Sequence, residues 1–182
     1  RDSDRDTDFV EEVNQRSGQC ISLCWHCNTC AGGCPFSKAM DYNPNAVIRL
    51  AQLGLRREAL RCSSIWLCVG CNTCNIQCPN GIDIPAVNTA LREIAIESGI
   101  DVGEPNVLMF HRTFLDTVRK YGKMHEFELM MRCKWNMRNW FADLGIGFKL
   151  LTKGRMELLP HRCSDTRMIR DLFENKSAGG RR

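Results

Sequence analysis

Eight cysteines in two runs carry the chemistry this sequence is equipped for. Cys68 to Pro79 reads CVGCNTCNIQCP, and Cys24 to Pro35 reads CWHCNTCAGGCP. Both follow the spacing C-x-x-C-x-x-C-x-x-x-C-P, and both contain the tetrapeptide CNTC, at residues 27–30 and 71–74. A unit repeated in this way is an internal duplication and has to be explained before anything else in the chain.

Three thiolates at x-x spacing can wrap one side of a four-iron cube from a single loop. The fourth cysteine of each run lies beyond a proline-flanked turn and, in the two-cluster ferredoxin pattern, ligates the other cluster. The spacing therefore predicts two [4Fe–4S] clusters. Cys24, Cys27, Cys30 and Cys78 are expected on one, and Cys68, Cys71, Cys74 and Cys34 on the other. Exchanged ligands tie two distant loops together, so cluster binding is expected to be coupled to folding. Two Cys₄ zinc sites are the competing reading, but zinc takes paired C-x-x-C knuckles, whereas three cysteines crowd each run here. A disulfide framework fits less well, because the chain is long and shows no secretory segment.

No acid–base or nucleophilic machinery accompanies the thiols, and no catalytic residue is expected. His26, His111, His125 and His161 form no triad. His26 lies inside the first run. With all four cysteines present it is expected to serve a cluster sulfur by hydrogen bonding or to lie at the surface. Cys20 fits no ligand role and is expected to be a buried, inert thiol, and Cys133 and Cys163 to be structural. Gly145-x-Gly147 lacks a third glycine and a preceding strand, so no nucleotide site is read there.

The elements that must position these runs read as helices. Asp8 can start a short helix over Phe9, Val10 and Val13 that stops near Gly18. Asn43-Pro44 is a helix-start signal for a face of Val47, Ile48, Leu50, Ala51 and Leu53, with Gly54 closing it. Leu55 to Leu60 fits another helical turn. Ser63 and Ser64 are expected to cap a turn that carries Ile65 and Trp66 into the second run. Trp25 and Trp66 are expected to shield the clusters from water. Gly32 and Gly33 suit tight bending around a cluster, and Asn80 to Asp83 is a turn. Pro85 opens a helix with the face Val87, Leu91, Ile94 and Ala95, closed by Gly99. Pro105 opens another, with Leu108, Phe110, Phe114, Leu115 and Val118 at helical spacing, ending near Gly122. Met124, Phe127, Leu129, Met130 and Met131 continue the pattern, followed by Trp135, Met137, Trp140, Phe141 and Leu144. Such Met and aromatic stripes suit helix packing or an adaptable partner interface. Asp165 can cap a last helix from Thr166 to Phe173.

The chain has 182 residues, 43% of them hydrophobic, and 12 cysteines. That many reduced thiols implies a reducing compartment. Charge is uneven. Residues 1–20 carry three Arg against six Asp and Glu, and residues 119–182 carry fifteen Lys and Arg against seven Asp and Glu. No helix-turn-helix or aromatic RNA motif accompanies the basic half, so an acidic protein surface is a better partner for it than nucleic acid. The apolar stretches are too short to span a bilayer. The chain opens on Arg1 instead of Met, so residues are expected to precede it.

The thirty-three residues between Cys34 and Cys68 read mostly as helix, where a small bacterial ferredoxin has β-hairpins. The fold class expected is all-α: an α-helical ferredoxin domain with two [4Fe–4S] clusters plus a helical C-terminal extension. The organisation expected is a lead-in and short helix over 1–19, the cluster domain over 20–100, a partner-docking region over 101–175 and a flexible basic tail over 176–182.

Further residues carry a resemblance. The segment AGGCPFS from Ala31 to Ser37, the stretch Asn43-Pro44-x-x-x-Ile48-Arg49-Leu50 and the entry Ile65-Trp66-Leu67-Cys68 resemble the C-type subunit of heterodisulfide reductase, over roughly residues 20–100. The cluster runs alone are shared with iron–sulfur subunits of succinate, glycerol-phosphate and glycolate dehydrogenases. The resemblance implies a cytoplasmic electron-transfer protein of a multi-subunit oxidoreductase complex. It would take electrons from a flavin-bearing, iron–sulfur subunit of the A type. It would pass them to a catalytic subunit of the B type, which carries Cys-Cys-Gly segments. Peripheral attachment to a membrane complex is the alternative location. No adjacent cysteine pair occurs here, so the disulfide-reducing centre itself is not expected in this chain. The alternative function is the iron–sulfur subunit of a quinone-linked or other dehydrogenase, with a substrate or quinone pocket in its C-terminal half.

Overall fold

The computed structural model describes residues 6–137 and 166–179, and among them every regular element is helical. The chain divides into two units, residues 1–105 and 106–182. Trp140, Phe141, Leu144, Gly145, Gly147, His161, Cys163 and Asp165 lie outside the described residues.

The first unit is built around α7 (Ile84–Glu97), against which α1 (Phe9–Ser17), α4 (Arg56–Arg61), α5 (Ser64–Leu67) and α6 (Thr73–Gln77) pack. α7 forms where its local signals are strongest. Asp83 accepts a hydrogen bond from the Ala86 N–H at 3.0 Å, Pro85 occupies the first turn, and Gly99 follows the end at a φ of 62°. Its expected face is the buried one: Val87, Leu91, Ile94 and Ala95 are at most 1% exposed. α1, which packs on α7, buries Phe9 and Val13 fully. α3 (Pro44–Gln52) starts after Asn43-Pro44 and buries Val47, Ile48 and Ala51.

The lead-in before α1 includes an anchor at Asp6. The Asp6 N–H donates to the Gly54 carbonyl at 2.9 Å, and the Asp6 carboxylate pairs with Arg56 at 3.1 Å. Arg56 also pairs with Glu12 and lies over the Phe9 ring, 5.1 Å from its centroid. This ties the start of α1 to the turn between α3 and α4.

Two short helices, α2 (Thr29–Gly32) and α6, carry the middle of the cysteine runs and pack on each other. Each starts after an asparagine in the left-handed region, Asn28 at a φ of 67° and Asn72 at 61°. Asparagine tolerates that conformation better than other residues with a Cβ. Two residues earlier the pattern repeats, with His26 at 57° and Gly70 at 65°. The duplication in sequence is thus also a duplication of backbone.

The second unit contains α8 (Pro105–Tyr121), α9 (Glu126–Met137) and α10 (Thr166–Gly179). Here the apolar stripe of α8 is only part-buried, with Leu108, Phe114 and Val118 intermediate. The buried residues of the helix are Thr113, Thr117 and Tyr121, whereas Phe110 and Leu115 are 42% and 49% exposed. The threonine hydroxyls tolerate burial because they donate back to helix carbonyls, Thr113 to Met109 and Thr117 to Phe114. α10 runs on through residues 175–179, part of which was expected to be tail.

Candidate iron–sulfur site

The eight cysteines of the two runs surround two cavities, one with about 350 Å³ and the other with about 380 Å³ of empty space, each partly open to solvent. The first is lined by Cys24, Cys27, Cys30 and Cys78, and the second by Cys34, Cys68, Cys71 and Cys74. Each cavity therefore receives three thiols from one run and the last thiol of the other. The exposure pattern repeats as well. Cys27 and Cys71 are exposed, Cys30 and Cys74 buried, and Cys24, Cys34, Cys68 and Cys78 intermediate.

The local environments explain the thiol acidities. Thr29 Oγ1 lies 3.3 Å from Cys27 Sγ, and Thr73 Oγ1 lies 3.5 Å from Cys71 Sγ. These hydroxyls hold both thiols below their ordinary pKa. Burial raises Cys30, and burial followed by the nearby charge of Cys68 pushes Cys74 up to about 11. A thiol that must be deprotonated against burial needs a cation to hold, which links metal binding to proton release. The Ile82 N–H points at Cys78 Sγ at 3.4 Å.

These residues fit a cluster larger than one ion. A single zinc draws its sulfurs to about 2.3 Å from one point. Here the thiols stand around a cavity, and among the described residues no three His, Cys, Asp or Glu side chains converge on a one-ion site.

His26 stands beside Cys24 of the first run. Its Nδ1 lies 3.9 Å from Cys24 Sγ, and its Nε2 lies 2.7 Å from Gln52 Oε1. Because the Gln52 amide donates to the Ile21 carbonyl at 2.8 Å, its oxygen is left to accept from His26 Nε2–H. With its proton on Nε2, the neutral ring can only accept at Nδ1 from the Cys24 thiol. Trp66 is 3% exposed, a core residue of the first unit, and lines neither of the two cysteine cavities. Trp25 borders the first cavity and is 75% exposed, and Val69, in the equivalent position of the second run, is 61% exposed. Cys20 is exposed, contrary to expectation, because Ile21 occupies the buried place beside it. Cys62 is instead the buried, inert thiol, its pKa pushed up to about 11 by burial. The turn before Cys68 is capped neither by Ser63 nor by Ser64 but by Asp41, which accepts both backbone N–H groups, at 2.8 and 3.0 Å.

Sequence reasoning also passed over Thr29 and Thr73. The repeat of Asn and Thr inside CNTC, alongside the cysteines, is the signal that points to them. Arg92 is a further addition. From α7 its guanidinium donates to the carbonyls of Ile65 and Cys68, clamping the entry to the second run.

Residues 20–82 match the family of the 4Fe-4S dicluster domain. The chain is 31% identical to the iron–sulfur C-type subunit of CoB–CoM heterodisulfide reductase from Methanopyrus kandleri, over 54% of this chain and 56% of that protein. It is 35% identical to the C-type subunit of the ferredoxin:CoB–CoM heterodisulfide reductase from Methanosarcina mazei, over 48% of this chain and 54% of that one. With the C-type subunit of the H₂:CoB–CoM heterodisulfide, ferredoxin reductase of Methanothermobacter thermautotrophicus it shares 31% identity, over 52% and 51%. The chain spans about half the length of the curated relatives it matches. No described helix is long and apolar enough to cross a membrane. The two cavities thus belong to an all-helical domain of the two-cluster [4Fe–4S] type, in a chain that over half its length is similar to the C-type subunits of heterodisulfide reductases.

Proposed function

We propose that this chain is the electron-transfer subunit of a heterodisulfide-reductase-like oxidoreductase complex. It takes single electrons from a flavin-bearing, iron–sulfur subunit of the A type and delivers them to a catalytic subunit of the B type. Cys24, Cys27, Cys30 and Cys78 hold one cluster, and Cys68, Cys71, Cys74 and Cys34 hold the other. The observation that carries this reading is the grouping of each run's first three thiols with the last thiol of the other run around one cavity. The names of the similar proteins support the type of complex.

When bound, the clusters supply two one-electron stations whose potentials follow burial and hydrogen bonding to sulfur. The chain's own residues hold and tune them. Eight thiolates bind, the Ile82 N–H and the Thr29 and Thr73 hydroxyls face ligand sulfurs, and Ile48, Ile82 and Ile84 limit water in the cavity walls. No side chain has to move a proton or attack a substrate. Trp25 and Val69 are apolar and exposed at the rims, where a partner can approach each cluster closely. Phe110, Leu115, Met131 and Trp135 of α8 and α9 support partner docking over residues 101–175. A cytoplasmic location suits eight thiolates that have to stay reduced.

The test is metal analysis of anaerobically purified protein. Two four-iron clusters require about eight irons per chain with matching acid-labile sulfide. Zinc without labile sulfide would reject the reading.

A further inference from the structure

Two asparagines in the cavity walls each bury an amide oxygen that has no partner within the protein. Asn88, on α7, is 5% exposed, and its Oδ1 is wholly buried without a hydrogen bond. It lines the cavity of Cys34, Cys68, Cys71 and Cys74. Asn45, in the first turn of α3, likewise has a buried Oδ1 without a partner and lines the cavity of Cys24, Cys27, Cys30 and Cys78. A buried amide left unpaired carries its full desolvation penalty, so a native position of this kind calls for a partner.

Besides Asn28 and Trp25 in the first cavity, the other polar side chains of the walls are already engaged. In the second cavity the polar side chains besides the thiols are Thr73 and Asn88, and Thr73 faces Cys71 Sγ. Phe36, Met40, Pro44, Val69, Ile84 and Pro85 make the rest of that wall apolar. In the first cavity Asn80 donates to the Leu23 carbonyl, Thr29 faces Cys27, and His26 is bonded to Gln52. The unmet hydrogen-bonding capacity of each cavity thus includes one asparagine amide, supplied by a helix outside the cysteine runs.

We infer that Asn88 and Asn45 are hydrogen-bond donors to the inorganic or ligand sulfurs of the second-run and first-run clusters, and raise the reduction potentials of those clusters. A half-turn about the Cβ–Cγ bond exchanges the amide oxygen and nitrogen within the same volume. It presents N–H to the sulfurs, which carry negative charge and accept hydrogen bonds. Reduction adds one further negative charge to the cluster, so an N–H···S bond favours the reduced state. The inference rests on the two-cluster reading above.

The experiment is a redox titration of the full chain, anaerobically reconstituted and followed by electron paramagnetic resonance. Cys71→Ser and Cys27→Ser variants assign the two signals. Asn88→Leu is expected to lower the reduced-to-oxidised ratio of the second-run cluster about tenfold at a fixed potential, or about 59 mV for one electron. The first-run cluster stays where it was. Asn45→Leu is expected to lower that ratio for the first-run cluster by the same amount and leave the second-run cluster where it was. Thr89→Ala, exposed on the same helix as Asn88, leaves both unchanged. If Asn88→Leu fails to assemble its cluster, Asn88→Val decides, since it is smaller and likewise lacks the N–H, and must lower the potential of the same cluster. Full cluster content with unchanged potentials in the asparagine variants overturns the inference and leaves the two-cluster reading standing. A parent chain without iron and sulfide rejects both.

Discussion

Asp41 caps a helix that begins well after it in sequence, accepting the backbone N–H of Ser64 at 3.0 Å and bonding to the Ser64 hydroxyl as well. Ser64 in turn accepts the Tyr42 N–H at 2.9 Å. This pair joins the segment leaving the first cysteine run to the helix entering the second. Asp41→Ala is expected to cost about 1 kcal/mol, the usual loss for a missing cap, and to slow assembly of the second-run cluster. Burial would raise the Asp41 carboxyl, but the hydrogen bonds from Ser64 and Ser63 outweigh it and hold the pKa below the ordinary value. A group lowered on folding stabilises above its unfolded pKa, about 3.9 for Asp. That contribution disappears as pH falls through the folded pKa. Denaturant titrations of the parent and Asp41→Ala should therefore differ at neutral pH and converge in acid. A difference independent of pH contradicts the capping account.

Gly54 and Gly99 both follow helices at positive φ, 68° and 62°, but only one of them is crowded. A Cβ on Gly54 would lie 2.6 Å from the Asp6 carbonyl oxygen, whereas one on Gly99 meets open space. Gly99→Ala is expected to cost about 1 kcal/mol in conformational strain, and Gly54→Ala clearly more, because backbone has to shift and the Asp6–Gly54 hydrogen bond is lost. Thermal unfolding of the two variants checks the order, and equal losses would mean that the lead-in does not anchor α1.

Arg92 clamps the carbonyls of Ile65 and Cys68 with two groups of one guanidinium. Desolvation lowers its pKa and the neighbouring Cys68 opposes this, so the charge is held in a partly buried place. Arg92→Met is expected to destabilise the chain by about 2 kcal/mol or more, given hydrogen bonds to a charged donor. Arg92→Lys should not restore it, since an ammonium lacks the fork that spans both carbonyls. Denaturant midpoints and second-run cluster occupancy read the effect. Full rescue by lysine would show that charge alone matters.

Much of the first unit was legible because its signals are local. Asn43-Pro44, Asp83 with Pro85, and the apolar faces of α3 and α7 lie within a turn or two of what they determine. The spacing, through the ligand chemistry, proposes the same sets of four cysteines that line the two cavities. What escaped depends on distance along the chain. Asp41 caps a remote helix, Arg92 reaches back from α7, and Asn45 and Asn88 matter only through the cavities they line. Cys20 was misplaced because hydrophobic type does not fix burial for a residue on a loop rim. On α8 the apolar stripe is half-buried at Leu108, Phe114 and Val118, while the most buried residues are Thr113, Thr117 and Tyr121. Periodicity names a face without saying what covers it.

The exchange of fourth ligands is tested most directly by Cys34→Ala and Cys78→Ala, with spectroscopy resolving which cluster is damaged. The account predicts that Cys34→Ala damages the second-run cluster and Cys78→Ala the first-run cluster, each leaving about four of the about eight irons undisturbed. Damage confined in each case to the cluster of the mutated cysteine's own run would contradict it.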